Sequence, residues 1–537
     1  MTTEDFFPQT SQRKTIDIGD GLIMRWSTKK DTENVANLVM DAFRWLPFGD
    51  PHPQDRIPGP NELTGAAVRR LLSGKSASMG EFDYALVEDT KRAEGKNPIV
   101  ACISLQRHEI YYGSTLLTAG EPELIATDTE YRNRGLIRRL LFEMVHPESE
   151  ARGDAFQYIP GIQHFYRQFG YEYGLCCHTA ASIDSPDVIP PLGKDKSESY
   201  ILRQASLDDL DFLCQLSTPE RLHSNTSIAT VYTRRYWQYT VHDAIEDRQH
   251  RFDADRETCV IIEAKSGKAV GFTVVSYCMF GPQLEAFALD EELATHVDVK
   301  DSVLRQLFAN AKKRNELSAK EYEEAMKKNA GNKATVDSDA STTDAVAAPA
   351  GPSKAEPEPF KYSINLQERH PLCILLGNKA KRNPNALGFR LYTRISSYPA
   401  FIKAVAPELE KRLANSALAG VSGTLRLNFF RKVEGSSGKG LEIFFEKGRI
   451  VDAHDWVKGS PEEELEEKQS WKKKGNTPVL FCASFAPLTF TNLVTGKDSL
   501  QELIWAYGEN RVQDDATRTL LDTLFPKSEH RFDVFTW

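Results

Sequence analysis

The stretch LIATDTEYRNRGLIRRLL, residues 124–141, constrains the fold more than any other part of this chain. A short β-like run feeds a basic turn marked by Gly135 and opens directly into an amphipathic helix. In that helix Leu136, Ile137, Leu140, Leu141, Met144 and Val145 recur at helical spacing, while Arg138 and Arg139 face water. The backbone N–H groups of Asn133, Arg134, Gly135, Leu136 and Ile137 have no acceptor within the first helical turn, and the helix dipole adds favourable potential for an anion there. Gly135 has no Cβ and lets a ligand approach the backbone closely. The turn is a candidate cradle for a diphosphate, although the same pattern also fits an ordinary strand, basic turn and helix.

A second motif, FQYIPGIQHFYRQFGYEYG from Phe156 to Gly174, reads as strand, turn, short helix and strand. Phe165, Tyr166, Phe169 and Tyr171 crowd the end of the short helix, and Gly170 is placed as a left-handed stop. Phe165 and Phe169 are assigned to the core. Tyr166 is open to either reading on these residues alone.

The turn Arg132-Asn133-Arg134-Gly135-Leu136-Ile137 resembles motif A of the GNAT acetyltransferases, whose Arg/Gln-x-x-Gly-x-Gly/Ala turn binds the pyrophosphate of acetyl-CoA. The second glycine is missing here. Arg134-Gly135-Leu136-Ile137-Arg138 is instead similar to the Arg-Gly-Leu-Leu-Arg version of the Eis branch (enhanced intracellular survival acetyltransferases), and Phe156–Gly174 resembles motif B. The resemblance implies acetyl-CoA as cosubstrate, no metal, and direct transfer of acetyl to a primary amine, either a small polyamine or aminoglycoside-like molecule or a lysine. It places the diphosphate on Asn133, Arg134, Gly135, Leu136, Ile137 and Arg138, and the thioester carbonyl beside the backbone of Ile125, Ala126 and Thr127. Gly161 and Ile162, opening the next helix, are cofactor candidates by position.

By the same resemblance Tyr166 is the general acid for the departing CoA thiolate. A phenol with a pKa of about 10 is a poor acid in neutral water, but in a dry site it can donate a hydrogen bond to a developing thiolate. No glutamate stands out as a base. The tail HRFDVFTW carries Phe532, Val534, Phe535 and Trp537, where termini are usually polar and frayed. In Eis-like enzymes the C-terminal carboxylate enters the first lobe as the proposed general base, a role that falls here to Trp537. An edge strand packed on its own domain is the alternative.

At 537 residues the chain is too long for one core. The expected class is α/β with mixed sheets: tandem GNAT folds followed by a sterol carrier protein-like α/β domain. The boundaries read as a flexible tail (1–18), a catalytic GNAT domain (19–185), a degenerate second GNAT-like domain (196–394) and the carrier-like domain (395–537). In the first, Leu22–Trp26, Phe82–Val87 and Ile99–Tyr112 read as strands, Asp31 or Thr32 caps a helix, and Arg44–Gly65 is a loop rich in proline and glycine, which by the resemblance covers the acceptor side. The second repeats the strand, acidic cap and helix order from Ser199, but no glycine-marked cradle follows Phe287–Asp290. Its last strands are expected at Phe360–Leu376 and Gly388–Thr393. Residues 316–358, rich in lysine and glutamate and then in alanine, serine and proline, read as a disordered insertion.

A net charge of −9 argues against broad nucleic-acid binding and is compatible with a site for cationic amines. The start, MTTEDFFPQTSQRKT, lacks the apolar core of a signal peptide, and no apolar run reaches roughly 18 residues, so a cytoplasmic protein without a membrane span is expected. The eight cysteines have neither metal nor disulfide spacing and are expected reduced and mostly buried. A homo-oligomer follows from the resemblance alone. Two rival readings remain: a non-catalytic protein that binds lipid in the carrier-like domain, and a protein-lysine acetyltransferase.

Overall fold

The structure is a computed structural model that describes residues 10, 13–44, 59–176, 181–222, 226–243, 255–278, 281–334, 361–382, 390–432, 438–459, 462 and 479–532. The described residues pack as two compact units, one drawn from Met1–Thr179, Ser206–Asp255 and Pro384–Trp537, the other from Ala180–Ala205 and Arg256–Asn383.

The main sheet of the first unit contains β1 (Ile16–Gly19), β2 (Leu22–Trp26), β3 (Tyr84–Asp89), β4 (Ile99–Tyr112), β5 (Thr115–Thr127), β6 (Phe156–Ile159), β7 (Glu172–Cys176), β8 (Thr226–Thr230), β9 (Arg390–Arg394) and β10 (Glu529–Arg531). Their spatial order is β1-β2-β3-β4-β5-β6-β9-β7, and β8 pairs with the far end of β4 and with β10. On one face lie α1 (Thr32–Ala42) and α2 (Glu62–Leu71). Asn61 caps α2 by accepting from the N–H groups of Leu63 and Thr64. Val35, Leu38, Val39, Val68 and Leu71 of these helices pack with Tyr84, Leu86 and Cys102, each fully buried leucine or valine contributing about 1.5–3 kcal/mol.

The cluster on the other face is built by one continuous helical run: α3 (Leu136–Leu140), a π-helical turn (Leu141–Val145) and α4 (His146–Ala151). Leu140, Leu141, Met144 and Val145 pack there with Met24, Val87, Ala101 and Ile103, the apolar stripe read from the sequence.

Strand β9 departs from the expected order. It lies between β6 and β7 in the main sheet, antiparallel to both, and not in the second lobe. Gly174 on β7 admits it, because a Cβ there would stand 2.7 Å from Thr393 Cβ. Residues 206–222 and 226–243 also belong to the first unit.

The C-terminal portion joins the same core. Its five-stranded sheet has the order Arg449–Asp455, Gly440–Glu446, Gly423–Asn428, Leu480–Ser484, Arg511–Val512. The helix α5 (Tyr398–Ala414) places Phe401, Val405 and Leu409 in one cluster with Ile110, Tyr112, Phe156 and Tyr158 of the main sheet. Tyr112 Oη donates to the Val494 carbonyl (2.7 Å) and Thr495 Oγ1 to that of Gly174 (2.6 Å).

The second unit holds a six-stranded sheet in the order Ala181–Ile183, Tyr362–Ile364, Gly281–Leu289, Ala269–Cys278, Asp255–Glu263, Tyr200–Gln204. The helix His296–Ala334 buries Val299, Val303, Leu304, Leu307 and Phe308 against it. The expectation of disorder from residue 316 is corrected for 316–334, which continue this helix. Lysine, glutamate and alanine there are strong helix formers. The rest of the expected insertion, 335–358, lies outside the described residues, as do 45–58 of the proposed acceptor-side loop. Of the described cysteine side chains, Cys102 and Cys259 are buried and Cys176, Cys214, Cys373 and Cys482 are half-buried, all as free thiols, so burial is less general than expected.

Candidate functional site

The site begins where β5 and β6 part. Their parallel pairing covers Ala119 with Phe156 and Gly120 with Gln157, yet β5 runs on to Thr127, paired on its other side with β4. Pro122 has no N–H to give, and Leu124 adopts φ 46°, a bulge that bends the strand away. Among the described residues, one edge of residues 121–127, including Ile125, Ala126 and Thr127, is therefore left without a strand partner.

The cradle lies at the end of that edge. Asn133 (φ 63°) and Gly135 (φ 72°) are both left-handed, and Gly135 caps α3 with no side-chain hydrogen bond to its first turn. Residues 132–135 are exposed, and nothing lies within 4 Å of the position a Gly135 Cβ would take. Arg134 is held in place: its guanidinium lies 4.4 Å over the Tyr131 ring and its Nη2 donates to the Glu130 carbonyl (2.9 Å). Tyr131 is itself fixed by a hydrogen bond to Asp89. Arg138 lies over Phe169 (5.0 Å) and contacts Gln168 (3.3 Å). Leu136 is buried and Ile137 half-buried, so these two supply backbone to the turn and side chains to the core. Open space at a left-handed turn before the first turn of α3, with two arginines held beside it, fits a diphosphate.

Tyr166 begins the 3₁₀ turn Tyr166–Phe169 and is 5% exposed. Its ring lies against Gly161, where a Cβ would stand 2.4 Å from Tyr166 Cε2. Gly161 and Ile162 lie in the bend before that turn, not at its opening as the sequence suggests, and Ile162 is 69% exposed. Phe165, assigned to the core, is 38% exposed, whereas Phe169 is buried. The Tyr166 hydroxyl makes no hydrogen bond among the described residues. Burial first, then the neighbouring Glu123, pushes this phenol above its ordinary range, so it holds its proton throughout the neutral region.

Glu123 belongs to a polar belt that sequence reasoning missed. Cross-strand pairs set Ser104 opposite Glu123 and Gln106 opposite Glu121 on one face of β4 and β5. That belt runs between the apolar cluster under α1 and α2 and the one around α5. Glu121 is 1% and Glu123 8% exposed. His108 Nε2 lies 2.8 Å from Glu121 Oε2 but is not aligned for a hydrogen bond, and Gln106 Nε2 is buried without a partner in the described structure. Burial, and then the charge of Glu121, drives the Glu123 carboxyl well above the usual carboxylate range. The one available signal was the Glu-Pro-Glu triplet immediately before the cradle strand.

The stretch Glu529–Phe532 approaches this belt. Strand β10 pairs in parallel with β8, and Phe532 is buried with its ring 5.0 Å from that of Tyr158, which in turn lies 5.8 Å from His108. Trp537 lies outside the described residues. Among the described residues, no group of three or more His, Cys, Asp or Glu is placed to hold a metal ion, and no helix is long and apolar enough to cross a membrane.

No curated protein sequence matches the chain. Among solved structures, a GCN5-related N-acetyltransferase from Kribbella flavida is 15% identical with a TM-score of 0.55, covering 96% of this chain and 98% of that one. A probable N-acyltransferase from Enterococcus faecalis is 12% identical with a TM-score of 0.59, covering 96% and 99%. Eis1 from Mycobacterium abscessus is 11% identical with a TM-score of 0.50, covering 95% and 98%. At such identities the likeness is one of fold. The sequence itself speaks for the first lobe, where Met24–Gly174 match the acetyltransferase (GNAT) domain family. Residues 24–174 are a GNAT acetyltransferase domain.

Proposed function

We propose that this protein transfers acetyl from acetyl-CoA directly to a primary amine, within an Eis-like arrangement of two GNAT-like lobes and a sterol carrier-like C-terminal portion. The observation that carries the reading is the conjunction of three features: the edge of residues 121–127 and the Tyr166 hydroxyl, both without a partner among the described residues, and the open cradle at Gly135. When bound, acetyl-CoA supplies the activated acyl group. The amine nitrogen attacks the thioester carbonyl carbon, the C–S bond breaks, the thiolate gains one proton and the amine loses one. Backbone N–H groups of Asn133 to Ile137, with Arg134 and Arg138, hold the diphosphate. Those along Ile125 to Thr127 orient the thioester, Gly161 and Ile162 wall the cofactor side, and Tyr166 donates to the departing sulfur.

Two carboxylates can take the amine proton. Glu123 is buried in the belt within electrostatic reach of Tyr166, and burial, then the charge of Glu121, raises its affinity for a proton above that of an ordinary carboxylate. The α-carboxylate expected at Trp537 follows Phe532 by five residues, a reach of up to about 17 Å. The acidic belt favours a cationic acceptor. The test is CoA-thiol release from acetyl-CoA against a panel of polyamines, aminoglycosides and lysine peptides. Release no faster than with buffer for every amine, together with saturable lipid binding, would replace this reading with the carrier one.

A further inference from the structure

Strand β9 brings Tyr392, fully buried, into the middle of the catalytic lobe from a distant part of the sequence. Its ring stacks on Tyr173 (centroids 4.2 Å apart, 26° between planes) and meets Tyr166 edge-on at 5.3 Å. Tyr392 Oη lies 2.7 Å from Tyr173 Oη and 3.0 Å from the Ile162 carbonyl oxygen. The backbone N–H of His164 donates to Tyr173 Oη at 3.0 Å. The Tyr392 hydroxyl is thus a donor set between two acceptors, Tyr173 Oη and the Ile162 carbonyl oxygen, and Tyr173 Oη also accepts from the His164 N–H. The chain of bonds leaves the loop at residue 164 and returns to it at residue 162.

That loop needs a restraint. Residues 161–165 are exposed, and His164 adopts φ 61°, a left-handed conformation unfavourable for a residue with a Cβ. The same loop supplies Gly161, against which the Tyr166 ring rests. A shift of the loop would therefore shift the phenol.

We infer that Tyr392 and Tyr173 form a clamp that positions Tyr166 and the Gly161–Ile162 backbone for acetyl transfer, which makes β9 a working part of the active lobe. Neither tyrosine is a catalytic residue here; both act through Tyr166, and the inference rests on the reading of Tyr166 as the proton donor to the thiolate.

The test uses the full chain with Tyr392→Phe, Tyr173→Phe and Tyr166→Phe, which keep all three rings. Thiol release from acetyl-CoA is followed with spermidine and, as the slower background, with water alone. Tyr392→Phe and Tyr173→Phe should each lower kcat about tenfold, as expected for small misplacements of a reacting group, with the spermidine KM unchanged. The double variant should be no slower than either single one, since either change opens the same ring. In the Tyr166→Phe background Tyr392→Phe should have no further effect. Hydrogen exchange at the His164 amide should quicken about tenfold in both single variants while the melting temperature stays put. A full rate and unchanged His164 exchange in Tyr392→Phe, with Tyr166→Phe slow, overturns the clamp alone. A full rate in Tyr166→Phe overturns the reading beneath it. A loss of activity that tracks only a loss of folded protein also overturns the clamp, reducing Tyr392 to packing.

Discussion

The two lobes share a strand arrangement and treat it in opposite ways. In the first, β5 pairs in parallel with β6 over two residues and then runs on alone, beside a bulge against β4. In the second unit Gly281–Leu289 pairs in parallel with Tyr362–Ile364, also over two residues, with a bulge against Ala269–Cys278. Each sheet therefore parts at a comparable place. In the first lobe the gap meets Gly135 and its arginines. In the second it is filled by the chain's own side chains: Asn365 Nδ2 donates to Glu285 (2.8 Å), Ser276 Oγ donates to the same carboxylate (2.7 Å), and His370 reaches the Phe287 carbonyl at 2.9 Å. The segment after Leu289 begins with Asp290, Glu291 and Glu292, an acidic stretch where the first lobe has a basic turn. On the reading proposed above, a parted sheet alone does not make a cofactor site; a basic left-handed turn must accompany it.

The sharpest way to break this contrast is at Tyr166. Tyr166→Phe should leave acetyl-CoA binding intact and slow transfer by about 10² to 10⁴, the scale of a lost general acid. Equal turnover in the two proteins would return Tyr166 to the core and leave the first lobe with a pocket and no chemistry.

The proton acceptor comes next. Glu123→Gln should lower kcat about 10² and remove an acidic limb in the pH profile that lies above the usual carboxylate range, because a carboxyl raised by burial accepts a proton only above its shifted pKa. Adding residues after Trp537 should have the larger effect if the terminal carboxylate is the acceptor. If the extended protein is slow while Glu123→Gln is fast, the assignment passes to Trp537.

A change in the second lobe should cost stability and not rate. His370 Nδ1 accepts from the Leu372 N–H as a helix cap, which leaves the ring proton on Nε2 to donate to Phe287. His370→Ala removes a cap and a partner from a carbonyl, a loss of about 2 kcal/mol. Acetyl transfer should be unchanged, and a fall in kcat at constant folded fraction would mean that the second lobe contributes to the chemistry.

Smaller again is the effect on affinity. Gly135→Val meets no neighbour but forces a β-branched residue into φ 72°, and Arg134→Glu reverses one charge on the turn. Each should weaken acetyl-CoA about tenfold, with calorimetry giving one site per chain in the parent. Two sites would show that the second lobe kept a cradle of another kind.

The cradle, the strands Leu22–Trp26 and Ile99–Tyr112 and the crowding around Tyr166 were legible in the sequence because each rests on local pattern: periodicity, a left-handed glycine, a capped helix. The place of β9 was not, since Arg-Leu-Tyr-Thr-Arg reads as a strand without naming its sheet, and what selects the β6–β7 slot is the missing Cβ of Gly174. Glu121 and Glu123 alternate along a strand as solvent-facing residues do, and only the cross-strand register with Gln106 and Ser104 buries them. Asn365 and His370 fill the second gap through contacts with residues that lie far earlier in the chain. The run from 316 to 334 was misread because composition without an apolar stripe was taken for disorder, although lysine, glutamate and alanine favour a helix.

The least effect expected is on acid stability, and it separates the lobes by their buried histidines. His146 on α4 touches Tyr171 Oη through Nε2 (3.2 Å), has an unpartnered Nδ1 and faces Arg394, so burial first and then that charge hold it well below the ordinary histidine range. A histidine depressed in the fold binds fewer protons than in the unfolded chain. Its contribution is therefore fully present above about pH 6.5 and is lost progressively below it, by up to about 1.4 kcal/mol for each further unit until the folded pKa is reached. His296 in the second unit is also depressed by burial, though less strongly, and should weaken its own unit less over the same range. His146→Gln keeps a polar partner for Tyr171 and removes the titration. Thermal melts at pH 7.5 and 5.5 should show the parent losing more melting temperature than His146→Gln, and hydrogen exchange should place the extra opening in the first unit. Parallel losses in the two proteins would mean that His146 takes up its proton without unfolding anything, and that the core beneath the cradle is wetter than its packing implies.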